Sequence, residues 1–219
     1  MSQALIQLLV LAGIAVFLIL RLKSVLGTRE GFEKPPTPVA PERTADRPDF
    51  EVIEGGPDRD ITDHATEGSD DAEALAKMKG VDPSFSVTEF LGGARGAYEM
   101  ILMAFERGEL DEIKDFLSDE VYESFADVVK MREDQGLTVS ATFVGIRETA
   151  FKSAQFDDVT TEGEITVRFV GELTSAVRDA SGEIVEGSEK EIKRQKDTWT
   201  FARVMNSDDP NWQLVATGE

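Results

Sequence analysis

Hydrophobic residues are distributed along this chain in three regimes. Residues 4–20, ALIQLLVLAGIAVFLIL, carry no charge, with Gln7 and Gly13 their only relief. Over residues 27–81 apolar side chains are sparse, and Pro35, Pro36, Pro38, Pro41, Pro48 and Pro57 punctuate a polar, acidic stretch. From Asp82 onward apolar positions recur periodically, with the helical 3.6-residue repeat as far as Gly136 and the two-residue repeat of strands beyond it. The pattern predicts an N-terminal transmembrane anchor over 1–26, a flexible Pro-rich acidic linker over 27–81 and a folded domain over 82–219.

The domain is organised around residues 87–117. On a helical wheel the first part of this stretch confines Arg95, Glu99 and Glu106 to one narrow arc, with Phe90, Leu91, Ala94, Tyr98, Ile101 and Phe105 among the residues covering the rest. An apolar arc that wide predicts a helix buried on several sides. Ser86 followed by Glu89 reads as a capping box, and Gly108 as the stop. Gly92 and Gly96 form a small-residue ridge on this helix and predict close packing of another element. A short helix over 110–117 and a third over 119–135, started by Ser118 and stopped by Gly136, follow. Then come strands over 137–146, 148–156 and 165–177, a hairpin turn at 179–182 with Gly182 where positive φ is wanted, and strands over 189–205 and 211–217. Helices first and antiparallel strands afterwards predict an α+β domain with helices packed on one face of a curved antiparallel sheet.

At about 1.5 Å per residue, residues 4–20 span roughly 25 Å, slightly under a hydrocarbon core of about 30 Å. No Lys or Arg precedes the run, whereas Arg21, Lys23 and Arg29 follow it. A cleaved signal peptide has the opposite arrangement, so the run reads as an uncleaved anchor. The positive-inside rule places the C-terminal bulk of a single-pass protein in the cytoplasm.

Charge narrows the partners. The net charge is −20, and from Asp82 onward 29 acidic side chains face 14 basic ones. Such a surface repels nucleic acid. Cysteine is absent, which excludes disulfides, Cys-ligated zinc and thiol catalysis. Asp58, Asp60, Asp63 and His64 are spaced like metal ligands, but Asp63 stands where a calcium loop needs glycine, and a solvated acidic loop is the expectation. A short helix over 70–79 is expected to lie in the linker. His64 is the only histidine, so an imidazole base in the domain is not expected, nor a metal or cofactor; GGARG lacks the spacing of a nucleotide loop. In residues 49–53, DFEVI, an apolar cluster flanked by acids reads either as a docking motif or as a chance cluster. The basic group Lys190, Lys193, Arg194 and Lys196 reads either as an approach to an anionic bilayer or as pairing with nearby acids.

Three segments are recognisable: FLGGARGAYEMILMAFERGELDEIKDFLSDEVYESFADVV, VRDASGEIVEG and DTWTFARVMNSDDPNWQLVATG. Together they resemble the Tim44-like domain family over roughly residues 81–218, with Glu109 a departure where an aspartate is expected. The N-terminal anchor resembles the membrane-anchored, TimA-type bacterial branch of that family. The resemblance implies a cystatin-like or NTF2-like cone enclosing an apolar pocket. It also implies a non-enzymatic adaptor at an inner membrane, working with an Hsp70-type chaperone or with protein clients and touching lipid. Candidate pocket residues are Phe90, Tyr98, Ile101, Phe105, Phe116, Phe125, Trp199, Phe201 and Trp212; the plainer reading of each is core. Trp199 and Phe201, two apart on a strand, share a sheet face.

The functional expectation is therefore a membrane-held adaptor for polypeptides. The alternatives are a binder of lipid or small apolar ligands and, more remotely, an NTF2-like enzyme. The topology is checked by reporters fused after residue 219: activity is expected from a reporter that works only in the cytoplasm, and activity confined to a periplasmic reporter overturns the orientation.

Overall fold

The computed structural model describes residues 56–218. The expected span at 4–20, its flanking Arg21, Lys23 and Arg29 and the cluster at 49–53 lie outside the described residues. No helix among the described residues is long and apolar enough to cross a membrane.

The described chain begins with a single helical turn, α1 (Arg59–Thr62), then α2 (Asp70–Val81) and the long α3 (Val87–Arg107). Two short 3-10 turns (Leu110–Glu112 and Lys114–Phe116) lead into α4 (Asp119–Asp134). Four strands follow, β1 (Thr138–Phe156), β2 (Glu162–Arg178), β3 (Ile184–Val204) and β4 (Gln213–Gly218), paired antiparallel in the order of the sequence. The α+β architecture is the one expected. The caps are where the sequence puts them: the Ser86 hydroxyl accepts from Glu89 N–H, Gly108 ends α3 in the left-handed region, and Ser118 accepts from Val121 N–H.

The expected linker over 27–81 ends earlier than composition suggests. Leu75 and Met78 of α2 are fully buried, and Ile61 and Ala65 belong to the same core. The expected solvated loop at 58–64 is instead a clasp. Asp60 accepts hydrogen bonds from the N–H groups of Val87 (2.8 Å) and Thr88 (2.9 Å), at the start of α3. Lys79 bridges Asp58 and Asp60 at 2.6 and 2.8 Å, and His64 lies 3.2 Å from the Thr88 hydroxyl. A carboxylate at a helix N-terminus meets unsatisfied N–H groups and the positive end of the helix dipole. The scarcity of apolar residues over 58–81 hid this, because a few well-spaced ones suffice when charged hydrogen bonds do the rest.

Two strands expected at 137–156 are one strand. Its register shifts against β2 at Phe143/Gly145, Ile146/Glu148 and Phe151/Ser153, so bulges bend β1 without breaking the pairing. Asp71 of α2 accepts from Ala154 N–H at 2.9 Å and so occupies part of the free edge of β1.

Helix α3 is buried on one broad face over its first half and, as expected, on several sides over its second, where Ile101, Leu102, Met103 and Ala104 are buried in succession. Val87, Phe90, Ala94, Tyr98, Ile101 and Leu102 are buried, whereas Gly92, Gly93, Arg95, Gly96 and Glu99 are exposed. The close packing expected at Gly92 and Gly96 does not occur among the described residues: a Cβ at either would meet nothing within 4 Å. Close approach happens on the sheet instead. A Cβ at Gly171 would lie 2.7 Å from the Tyr98 hydroxyl, and one at Gly163 2.9 Å from Met78 Cε. Strand glycines make room for helix side chains, not the reverse.

Burial pushes the Asp60 carboxyl up, but hydrogen bonds from Lys79, Thr88 and Val87 outweigh it and hold the group far below the usual carboxylate range. Asp60→Asn is expected to cost about 2 kcal/mol at pH 7, the scale of hydrogen bonds to a charged group. A lowered folded-state pKa gives stability that is complete above the unfolded value near pH 4 and fades as the pH falls below it. Urea melts should show a constant advantage of wild type over Asp60→Asn from pH 7 to about pH 5, shrinking as the pH falls through 4 to 3.

Candidate functional site

A cleft of about 330 Å³ opens between the start of α3 and the far ends of β3 and β4. One wall is the connection from α2 to α3, with Asp82, Ser84, Phe85 and Ser86; the floor is Phe90, Gly93, Ala94 and Ala97 of α3. Phe201 and Arg203 of β3, with Pro210, Asn211 and Trp212, form the opposite wall, and Phe116 closes one end. Trp212 is the hub, its ring centroid 4.6 Å from Phe90 and 5.8 Å from Phe85, while Phe90 meets Phe201 edge-on at 6.0 Å. A volume of this size falls within the range of small-molecule and side-chain-sized sites.

One ion pair crosses the cleft. Arg203 Nη2 donates to Asp82 Oδ2, and the guanidinium lies 5.3 Å from the Trp212 ring centroid. Asp82 Oδ1 accepts from the hydroxyl and N–H of Ser84, at 2.6 and 3.0 Å, closing the turn after α2. The Ser84 hydroxyl bond is the foremost influence on Asp82; with the Ser84 N–H and Arg203 it outweighs burial and keeps the carboxyl below its ordinary value. Arg203 Nε is buried and has no hydrogen-bond partner among the described residues.

The nine sequence-predicted residues separate into three groups. Phe90, Phe116, Phe201 and Trp212 come together on the cleft. Tyr98, Ile101 and Trp199 are buried between α3 and the sheet, where Tyr98 stacks on Phe169 at 4.5 Å and packs against Trp199 at 4.7 Å. These aromatics occupy the place where an enclosed cone pocket was expected, and the cleft lies beside them. Phe105 and Phe125 pair at 4.5 Å near Arg132, away from the cleft.

Phe85, Asp82 and Arg203 were missed, although each left a signal. Phe85 and Phe90 flank the Ser86 cap in the spacing of a hydrophobic staple. Arg203 continues the alternation of Trp199 and Phe201 on β3, so it shares their face. What joins them to Trp212 is a turn between β3 and β4 that no periodicity describes.

Tyr98 and Asp197 form a buried polar pair under α3. The Tyr98 hydroxyl donates to Asp197 Oδ2 at 2.5 Å, and Gln195 Nε2 donates to Oδ1 at 3.0 Å. Burial, reinforced by the Asp197 carboxylate, pushes the Tyr98 hydroxyl far above its ordinary pKa, so it remains a donor. Neither residue lines the cleft. Among the described residues no group of three or more His, Cys, Asp or Glu is placed to hold a metal ion. Of the basic cluster, Arg194 joins Arg147 on the buried Glu172, and both guanidinium groups hold that carboxyl below its usual value.

A family model described as the Tim44-like domain matches residues 71–219, a range that takes in nearly all of α2. The human mitochondrial import inner membrane translocase subunit TIM44 is 25% identical over 148 residues, covering 66% of this chain and 32% of that protein. Subunit TIM44-1 of Arabidopsis thaliana is 23% identical over 161 residues, covering 74% of this chain and 32% of that protein. The chain thus covers about a third of the length of these relatives. Among solved structures, the intermembrane space region of chloroplast protein ARC6 aligns with a TM-score of 0.37 and 10% identity, over 57% of this chain and 94% of that one. That likeness is too distant to carry weight.

Tyr98→Phe removes the donor and leaves a buried carboxylate oxygen unsatisfied, at an expected cost of about 2 kcal/mol. Thermal unfolding should show the loss, while a cleft-lining substitution such as Asn211→Ala should stay within roughly 0.5 kcal/mol of wild type.

Proposed function

The chain belongs to the Tim44-like domain family, and from that premise we propose that it is a membrane-anchored adaptor whose domain binds polypeptide clients, or the chaperone or assembly factor that handles them. The observation that carries the reading is the cleft, where half-buried Trp212 and Phe116 open over the buried rings of Phe85, Phe90 and Phe201 in a strongly acidic domain. Aromatic side chains offer large contact area at low entropic cost, which suits recognition of apolar side chains on other proteins. The relatives' names, subunits of a mitochondrial inner-membrane import translocase, support a role in protein traffic at a membrane.

In this reading residues 4–20 anchor the chain in a bacterial inner membrane, with Arg21, Lys23 and Arg29 on the cytoplasmic side. The α+β layer corresponds to the cystatin-like or NTF2-like cone of the family, its interior filled and its recognition surface displaced to the cleft. An Hsp70-type chaperone is the partner class that the family suggests. The reading is non-enzymatic: the cleft's ionisable side chains are Asp82, Glu89 and Arg203, and two of these neutralise each other.

The second reading is a lipid or small apolar ligand in the same cleft, favoured by its volume of about 330 Å³ and its mostly apolar lining. A photocrosslinking amino acid at position 84 or 212, with exposed Met131 of α4 as the control site, separates the two. The adaptor reading expects discrete polypeptide adducts from the cleft positions and none from position 131. Co-purified lipid seen by native mass spectrometry and lost in Trp212→Ala, without polypeptide adducts, overturns it in favour of the second.

A further inference from the structure

An open sheet edge invites another strand, and this domain treats its edges unequally. β4 is short, and its Leu214 carbonyl accepts from the Ser118 N–H at 2.9 Å, so the start of α4 covers part of its outer side. β3 runs on beyond β4, which pairs only with residues 198–202. That further stretch carries Glu186, Glu189, Lys193, Arg194 and Lys196 and bends at Gly187, where φ is 75°. Charge and a local bend are the features that keep an edge from pairing. The first part of β1 is different. Residues 138–146, TVSATFVGI, hold no charge in a chain of net charge −20. The first register shift comes only between Phe143 and Gly145, so residues 138–143 form a regular edge. Among the described residues, the hydrogen bond that reaches the backbone of β1 from outside the sheet is that of Asp71 to Ala154 N–H, at the far end of the strand.

We propose that the 138–146 edge of β1 pairs antiparallel with the same edge of a second copy, joining two four-stranded sheets about a two-fold axis. Charge selects this occupant. Exposed Glu133 and Asp134 stand just before the uncharged stretch, and exposed Arg147 stands just after it. Glu172 takes only Arg147 Nε, at 2.8 Å, and the rest of that side chain is largely in water. Antiparallel pairing about a two-fold axis sets the acidic beginning of one edge beside the basic end of the other, and does so twice. The centre between them is free of charge, so two strongly acidic domains meet where neither repels the other. Phe143 turns inward to Tyr98, with ring centroids 6.4 Å apart, so Ser140 and Thr142 of the alternate set lie on the opposite, solvent-facing side. Hydroxyl side chains there suit cross-strand pairs. Strands of this length bury less than a standard interface, so the dimer is a weak, concentration-dependent one.

The pairing stands apart from the cleft and from what the cleft receives. Because the chain has no cysteine, Thr138→Cys, Ser140→Cys, Thr142→Cys and Val144→Cys each carry one spin label at an exposed position of β1. Pulsed dipolar spectroscopy on the full chain in detergent then reads distances between copies alone. The distance should be shortest at 140 or 142 and longer at both 138 and 144, growing by about 7 Å for each residue moved from the axis. A label on Val159→Cys, 92% exposed in the β1–β2 turn, should give no short distance. Ser140→Lys, combined with the label at 142, brings two ammonium groups together near the axis and should lower the dimer fraction several-fold. Equal distances at the four positions overturn the pairing, as does the absence of coupling between copies in labelled chains whose far-UV circular dichroism matches wild type. An undiminished signal in Ser140→Lys overturns it too. Disulfide adducts of Thr142→Cys with other polypeptides, without coupling between copies, assign the edge to a client strand and overturn the dimer. The adaptor reading is judged by the crosslinks from positions 84 and 212, which none of these outcomes alters.

Discussion

The seating of α3 on the sheet through Tyr98 is the constraint on which the domain depends. Its ring stacks on Phe169 and packs against Trp199, and its hydroxyl reaches Asp197 at 2.5 Å through space that only a glycine at position 171 leaves free. A buried carboxylate without donors is costly, so the hydroxyl fixes both the rotation of the helix and its height over β2 and β3. With that rotation set, Phe90 and Ala94 turn toward the β3–β4 end, and Gly92 and Gly96 turn to solvent. The cleft follows from the same geometry, because α3 runs past the end of the filled aromatic core and, on the cleft side, its first turns meet Phe85, Phe116, Phe201 and Trp212.

The N-terminal part of the described chain is joined to this core by charge as much as by burial. Asp60, Lys79 and Asp58 clasp the start of α3, and Asp82 and Arg203 tie the next turn to β3. Partly buried charged hydrogen bonds of this kind are directional, so they set where α2 and the 82–86 wall lie with little apolar surface. The strongly acidic composition is thus partly structural. Asp58, Asp60, Asp71 and Asp82 each have defined partners, while the exposed acids of α4 remain a solvated face.

Helix starts and stops, the hairpin at 179–182 and the α+β class were legible because they rest on local chemistry: Ser86 and Ser118 as caps, Gly108 and Gly182 at positive φ, and alternation in the strands. Four of the nine predicted aromatic and aliphatic site residues meet on one cleft, and the others fill core or a separate Phe105–Phe125 contact. A wheel or an alternation states which face a side chain takes. It does not state how far along the helix or strand the packing of a neighbour ends, and that decides whether an aromatic is core or rim.

By itself the sequence determined the order and kind of the elements, the family and the apolar character of residues 4–20, since each is carried by local spacing or composition. The tertiary structure alone decided that residues 58–81 belong to the domain, that β1 is one bulged strand, that glycines 163 and 171 rather than 92 and 96 admit close neighbours, and that Asp82 meets Arg203 across 121 positions of chain. Each of these depends on a contact between residues far apart in sequence, whose free energy comes from burial and desolvation at a shared place and leaves no periodic trace in either partner.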